Sequence, residues 1–183
     1  MPPDTPAPRG RVLVVCTGNI CRSPYLERVM RHRLAGAGVE VSSAGTGAVV
    51  GAPMDPESEA RVRLAGADPT GFTARQLTAS LVEGADLVLT AARSHRADVM
   101  RLVPRAMRYT FALGDFSDLV AGVPADPART VAGLVAEAGA RRLDVRARRD
   151  VDIVDPYRRG PATFDEMVDQ VEAVLPAVVA ALS

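Results

Sequence analysis

The chain has 183 residues, enough for one compact domain with its own hydrophobic core. Its 22 basic and 22 acidic residues balance to a formal net charge of zero, which argues against a nucleic-acid-binding protein. Apolar residues make up 48% of the chain but form no run long enough to span a bilayer, which argues against both a disordered and a membrane protein.

The N-terminal segment is rich in proline and lacks an apolar stretch. We therefore expect residues 1–10 to form a flexible tail rather than a signal peptide, followed by a single domain over residues 11–183. The chain has two cysteines, Cys16 and Cys21, so we expect a cytoplasmic protein without a disulfide framework, with secretion without a signal peptide as the alternative. The two histidines lie too far from them along the chain to complete a zinc site, and we expect neither a metal nor a cofactor.

The first elements of the domain are predicted to be a strand, a tight loop and a helix. Arg11–Cys16 is a short, β-branched apolar run, which is typical of a buried parallel strand. Gly18 and Asn19 interrupt this run, and both residue types tolerate positive φ. Ser23 is a frequent N-cap residue and the proline after it suits the first helical position, so a helix should begin there and end near residues 36–38.

Strands and helices alternate along the rest of the chain. We predict strands at 39–44, 85–90 and 108–112 and helices at 55–66, 94–102 and 130–142. The last helix is marked by the capping-box pattern Thr163–Glu166, and Pro176 should kink it or end its first part. The basic run at 146–149 is expected to be a solvated surface loop. This alternation predicts an α/β fold, a three-layer α/β/α sandwich around a central parallel sheet of roughly four strands.

The segment Cys16–Pro24 has the features of an anion site. A loop between a strand end and a helix start directs its backbone N–H groups inward, and Arg22 can form a bidentate fork with two phosphate oxygens. The same positive groups favour ionisation of the Cys16 thiol, and the Ser23 hydroxyl could donate a hydrogen bond to it. A cysteine and an arginine at this spacing arise by chance in about one such chain in four, and the alternative is a buried structural cysteine. The surrounding Gly, Asn and Ser-Pro favour the anion site.

The same segment resembles the phosphate-binding loop of the low-molecular-weight protein tyrosine phosphatase family, whose pattern is Cys, five residues, Arg, then Ser or Thr. The resemblance extends to Ser43–Thr46, Ala74–Leu77 and Asp155–Tyr157, and it covers nearly the whole of residues 11–182. It implies hydrolysis of phosphate monoesters, with a phosphotyrosine-containing protein or a small aryl phosphate as substrate. It also implies that a phosphate or sulfate ion can bind in the loop.

The family resemblance implies a role for each site residue. Cys16 would attack phosphorus and form a phosphocysteine, Arg22 and the loop amides would hold the equatorial oxygens, and Asp155 would act as general acid and then general base. Asn19 would hold the strained shape of the loop, and Tyr157 would contact the substrate ring. The other residues expected to bind substrate are Thr17, Gly18, Ile20, Cys21, Ser23 and Val49.

Two departures from the family pattern, in the loop at 47–50 and at Phe72, modify what the resemblance implies. Relatives often carry a bulky or aromatic residue in the loop at 47–50, where this chain is aliphatic, so one wall of the pocket is expected to be formed by Val49 or Val50. Many relatives have a histidine that supports the active loop where this chain has Phe72, so that support should differ or be missing. In this family the second cysteine of the loop can form a reversible disulfide with the nucleophile, so the resemblance implies that Cys21 protects Cys16 from irreversible oxidation. The alternative is that Cys21 is a small packing residue.

Two other functions remain open from the sequence. An arsenate reductase can use a related loop on the same scaffold, but such enzymes usually pass electrons through cysteines further along the chain, and this chain has none after Cys21. A phosphate-binding module with little turnover would keep the loop without its chemistry. The presence of Cys16, Arg22, Ser23 and Asp155 together favours the phosphatase.

Overall fold

A parallel sheet of four strands forms the centre of the protein. The computed structural model describes residues 8–143 and 152–183. The strands are β1 (Gly10–Cys16), β2 (Val39–Gly45), β3 (Leu87–Thr90) and β4 (Thr110–Ala112), and their order in the sheet is β2-β1-β3-β4. All pairings are parallel, so the predicted four-stranded parallel sheet is confirmed.

Helices connect the strands and cover both faces of the sheet. They are α1 (Arg22–Arg33), α2 (Pro56–Leu64), α3 (Ala79–Glu83), α4 (Arg93–Leu102), α5 (Leu113–Val120), α6 (Val131–Ala140) and α7 (Pro161–Leu182). Short 3₁₀ turns lie at Pro104–Arg108 and Arg141–Leu143. None of the helices in the described part of the chain is both long and apolar enough to cross a membrane.

The alternation of β1 side chains shows why the fold has three layers. Val12, Val14 and Cys16 belong to one hydrophobic cluster, which includes residues of α1, α5, α6 and α7. Leu13 and Val15 belong to a second cluster on the opposite face, with residues of α3 and α4. Successive side chains of a strand point to opposite faces of the sheet. A strand with apolar side chains on both faces must therefore be covered by helices on both faces. The predicted α/β/α sandwich is confirmed.

The helix starts differ from the sequence prediction in two places. Ser23 is not an N-cap: α1 begins at Arg22 after Cys21, and the Ser23 hydroxyl contacts other side chains in the core. The capping box at Thr163 is also absent, because Pro161 starts α7 two residues earlier, where the fixed φ of proline suits the first turn. Pro176 does not end α7, which continues to Leu182.

Several boundaries also differ. Arg9 and Gly10, assigned to the tail from the sequence, belong to the folded structure: Gly10 starts β1, and the Arg9 side chain donates to the carbonyls of Ala37 and Leu182. The helix α5 lies between the strand predicted at 108–112 and the helix predicted at 130–142, where the sequence predicted no element. The basic run at 146–149 and residues 1–7 lie outside the described residues.

Candidate active site

The loop that joins β1 to α1 is attached to its surroundings by its carbonyl groups. The carbonyls of Cys16, Thr17, Gly18 and Ile20 each accept a hydrogen bond of 2.8–3.0 Å from a backbone N–H in the segment 46–55. The Cys21 carbonyl accepts from the backbone N–H of Tyr25 in α1. The loop is therefore bonded along its outer side to the segment that follows β2.

This pattern decides where the N–H groups of the loop point. No peptide bond among the described residues is cis, and in a trans peptide the C=O and the following N–H point in opposite directions. Because the carbonyls face outward, the N–H groups that follow them face the inside of the loop. The N-terminus of the 12-residue helix α1 lies at the same place and adds the positive end of its dipole. The loop is thus an anion site.

Asn19 holds this loop in shape from behind. It is fully buried and adopts φ 54°, a left-handed conformation that asparagine tolerates better than most residues. Its Oδ1 accepts from the backbone N–H of Arg75 at 2.9 Å, which orients the amide. Its Nδ2 donates to the hydroxyls of Ser23 and Ser43, both at 2.9 Å, and Ser43 in turn donates to Glu27 at 2.6 Å.

This network leaves the hydroxyl hydrogen of Ser23 available for Cys16. The Ser23 Oγ is 2.9 Å from the Cys16 Sγ. Since Ser23 already accepts a hydrogen bond from Asn19, its own hydrogen is free to point at the sulfur. The Cys16 sulfur is therefore placed to receive a donated hydrogen bond, which stabilises a thiolate.

Gly45 at the end of β2 allows the loop to lie close to the sheet. A Cβ at this position would be 2.3 Å from the Thr17 carbonyl oxygen and 3.0 Å from the Asn19 Cβ. These distances are too short for any side chain, so only glycine fits unless the loop shifts.

The carboxylate of Asp155 comes to the loop from the segment before α7. Its Oδ2 accepts from Arg22 Nη2 at 2.7 Å, and Arg22 Nη1 donates to the Ile153 carbonyl at 3.3 Å. The Arg22 side chain is 7% exposed and that of Asp155 is 50% exposed. A guanidinium has five N–H donors, so these two bonds leave donors for a phosphate.

A cavity of about 160 Å³ opens over the loop. It brings together most of the residues that the sequence predicted for the site. The lining residues are Cys16, Thr17, Gly18, Ile20, Cys21, Arg22, Gly47, Val49, Asp155 and Tyr157. Asn19 and Ser23, also predicted to bind substrate, have side chains that are fully buried and do not line the cavity, and their part in binding stays a prediction. Of the two valines, Val49 lines the cavity, and Val50 is 69% exposed and does not.

Comparison with known proteins identifies this constellation. The family model "Low molecular weight phosphotyrosine protein phosphatase" matches residues 11–131. A low molecular weight protein-tyrosine-phosphatase of Streptomyces coelicolor is 35% identical over 94% of this chain and 93% of its own length. The chain belongs to the low molecular weight protein tyrosine phosphatase family. It is accordingly a hydrolase of the protein-tyrosine-phosphatase class.

Solved structures agree with this assignment. The tyrosine phosphatase Wzb from Escherichia coli K30, in complex with sulphate, has a TM-score of 0.70 and 27% identity, covering 95% of this chain and 99% of its own. Wzb from Vibrio vulnificus, in complex with benzylphosphonate, has a TM-score of 0.69 and 25% identity, covering 93% of this chain and 97% of its own. The predicted fold class is that of these phosphatases.

The second cysteine of this phosphatase loop has surroundings that keep its thiol neutral. Burial, followed by the nearby charges of Asp55, Cys16 and Asp155, raises the pKa of Cys21 to about 12. Cys21 is therefore a neutral thiol at neutral pH. The proposed disulfide with Cys16 stays a prediction, because both cysteines are free in this structure. No group of three or more His, Cys, Asp or Glu residues within 8–143 and 152–183 could hold a metal ion.

Some residues of this phosphatase site were missed from the sequence. Arg75 supports Asn19 through its backbone N–H. Phe72, which stands where many relatives have a supporting histidine, is half-buried, and the centroid of its ring is 5.7 Å from the guanidinium carbon of Arg28. His95 contacts Thr17 from α4. A usable signal existed for His95: α4 follows β3, which neighbours β1, and the carboxyl ends of parallel strands lie at one edge of the sheet.

Proposed function

We propose that this family member hydrolyses phosphate monoesters through a phosphocysteine at Cys16, with phosphotyrosine in proteins or small aryl phosphates as substrates. The observation that supports it most is the combined geometry of one cavity: inward N–H groups, a buried thiol at the loop, Arg22, and the Asp155 carboxylate at its mouth. We further propose that residues 11–183 act as a single catalytic domain.

The first step forms the covalent intermediate. The Cys16 thiolate attacks phosphorus, an S–P bond forms, and the ester O–P bond breaks. The leaving oxygen takes a proton from Asp155, whose half-exposed carboxyl group can reach a substrate at the cavity mouth. Arg22 and the loop N–H groups stabilise the charge on the three equatorial oxygens, which is the main task in phosphoryl transfer.

The second step releases phosphate. Water attacks the phosphocysteine, the Asp155 carboxylate accepts its proton, and the S–P bond breaks. The Ser23 hydroxyl, 2.9 Å from Cys16, donates to the departing thiolate and makes it a better leaving group. The nucleophile and the loop then return to their starting state.

The shape of the mouth favours an aryl group. Ile20, Val49 and Tyr157 line the cavity beside the catalytic residues and offer apolar and aromatic surface. A tyrosine ring is flat and apolar and suits such walls. A related phosphatase, Wzb from Vibrio vulnificus, binds benzylphosphonate, a phosphonate that carries an aryl group, and this supports the proposed aryl substrate.

The deciding experiment measures aryl phosphate hydrolysis in the presence of a chelator, for wild type and Cys16→Ser. We expect turnover by the wild type, none above background for the variant, and a phosphate adduct on the Cys16 peptide by mass spectrometry of acid-quenched enzyme. Phosphate should still bind to Cys16→Ser, because the loop is unchanged. A wild type that binds phosphate without turnover would instead support a binding module, or a reductase to be tested with arsenate and a thiol.

A further inference from the structure

His95 is a buried histidine that contacts the phosphate-binding loop. It lies in the first turn of α4 and is only 4% exposed. Its Nε2 is 2.9 Å from the Oγ1 of Thr17, the residue that follows the nucleophile and lines the cavity. The helix α4 therefore reaches the wall of the substrate pocket through one pair of side chains.

The other ring nitrogen of His95 indicates which tautomer is present. Nδ1 is buried and has no hydrogen-bond partner among the residues that the structure describes. A neutral imidazole carries one N–H, and on Nδ1 it would be buried without an acceptor, which is costly. The N–H therefore belongs on Nε2, where it donates to Thr17. The hydroxyl hydrogen of Thr17 is then free to donate to another group.

The surroundings of His95 favour its neutral form. Burial lowers the pKa of His95 below its ordinary value, and the Arg22 guanidinium lowers it further. The carboxylates of Asp98, Asp155 and Asp152 oppose this shift. Of these groups, Asp98 lies on α4 itself, Arg22 lies on α1, and the other two lie in the segment before α7. At neutral pH the ring is thus an uncharged donor.

We infer that His95 is a positioning residue for substrate binding, because its Nε2–H bond fixes the side chain of Thr17 as one wall of the pocket. The inference rests on the proposed phosphatase function. A β-branched side chain has few χ1 rotamers, and holding Oγ1 in place selects one of them. The choice of rotamer also decides where the methyl group and the hydroxyl hydrogen lie. The cavity is only about 160 Å³, so a different Thr17 rotamer would change how the substrate fits.

The first test uses matched variants of the two partners. His95→Phe keeps a ring without a donor, and Thr17→Val keeps the side-chain shape without the hydroxyl. Each should raise KM for an aryl phosphate about 3- to 10-fold, with kcat changed by less than about twofold. The double variant should be no worse than either single variant, since both remove the same bond. His95→Gln retains an amide donor near the position of Nε2 and should restore most of the loss.

A second measurement determines the tautomer of His95 and does not depend on enzyme activity. The imidazole ¹⁵N chemical shifts of wild type should show a neutral ring protonated at Nε2, and Thr17→Val should change them. The matched control is His32→Gln, which alters the exposed histidine of α1. Because the chain has two histidines, the signals that remain in His32→Gln belong to His95. This variant should leave KM unchanged.

The inference and the proposed function can fail separately. An Nδ1-protonated ring, additive losses in the double variant, or a His95→Gln enzyme as impaired as His95→Phe would each overturn the role of His95. A wild type that hydrolyses no aryl phosphate would overturn the proposed function, and the NMR spectra would still decide whether Nε2 donates to Thr17. If His95→Phe does not fold, the KM of Thr17→Val and the ¹⁵N spectrum of wild type still test the inference.

Discussion

The two parts of this active site are held in different ways. In the loop Cys16–Ser23, the side chains of Cys16, Asn19 and Arg22 are all buried, and the backbone is bonded to the segment after β2. The segment that carries Asp155 is exposed at the carboxylate itself, whose side chain is 50% exposed. The difference indicates that the anion-binding half is preorganised, while the acid is positioned by fewer contacts at the surface.

The segment that carries Asp155 (the acid segment) is attached to the residues around the start of α4, to Arg22, and to α7, where Gln170 accepts from the backbone N–H of Val154 at 2.7 Å. The backbone N–H of Ile153 donates to the Ala91 carbonyl at 2.8 Å, and the Arg93 N–H donates to Asp152 at 2.8 Å. The ion pair between Arg22 and Asp155 joins this segment directly to the loop. Changes in the acid segment should therefore alter catalysis with little loss of stability, whereas changes in the loop should alter stability and phosphate binding as well.

Asp155→Asn should give the largest effect on rate. The amide cannot protonate the leaving oxygen, so kcat/KM for a substrate with a poor leaving group should fall about 10²- to 10⁴-fold. The free energy of unfolding should change by less than about 1 kcal/mol, because the carboxylate is half exposed. A substrate with an acidic phenol needs less protonation and should lose less. Equal losses for both substrates would show that Asp155 is not the general acid.

Arg22→Lys tests the arginine that belongs to both parts. Lysine keeps the charge but lacks the planar fork, so kcat should fall about 10²- to 10³-fold and inhibition by phosphate should weaken. The control is Arg63→Lys, which changes an exposed ion pair with Glu59 on α2 and should leave both quantities unchanged. If phosphate binds Arg22→Lys as tightly as wild type, the bidentate contact is not formed.

Gly45→Ala tests the close packing behind the loop. The added Cβ would lie 2.3 Å from the Thr17 carbonyl oxygen, so we expect a loss of about 1–3 kcal/mol of stability together with weaker phosphate binding. Chemical denaturation and phosphate titration measure the two effects. Gly139→Ala in α6 is the matched control, since its Cβ would meet nothing within 4 Å and alanine favours helix. An unchanged Gly45→Ala enzyme would show that the loop is not held against β2.

Val49→Ala should give a small effect that is confined to substrate binding. The side chain lines the cavity but is 47% exposed, so KM for an aryl phosphate should rise only about 2- to 5-fold while kcat is kept. Val50→Ala serves as the control, because Val50 is 69% exposed and does not line the cavity. A similar rise in both variants would point to a general effect of the loop rather than to the pocket wall.

The stability contributed by His95, which lies at the start of α4, should depend on pH. The pKa of His95 is lowered in the folded state from an ordinary value of 6.5, first by burial and then by Arg22, so the unfolded chain binds more protons. Its contribution to stability is fully present above pH 6.5 and is lost as the pH falls through the lowered folded pKa. As the pH falls below 6.5, the free energy of unfolding measured with denaturant should decrease more for wild type than for His95→Gln. Parallel curves would show that His95 is not buried in its neutral form.

The loop from Cys16 to Arg22 was predictable because its parts are neighbours in the sequence. A β-branched strand, a Gly-Asn break and a helix start determine a local path, and that path decides where the N–H groups face. Ser23 shows the limit of such reasoning. A serine before a proline looks like a helix cap, but its hydroxyl has better partners in Cys16 and Asn19, which only the folded chain brings within reach.

The sequence by itself thus predicted the fold class and the anion loop, since periodicity and local backbone preference decide these. The role of Cys16 as the nucleophile stays a proposal. The place of Asp155 was inferred from family resemblance, and no local pattern would have paired it with Arg22. Only the tertiary structure decided the contacts of Thr17 with His95 and of Gly45 with the loop. These contacts depend on the order β2-β1-β3-β4, which brings the ends of distant strands together at one edge of the sheet.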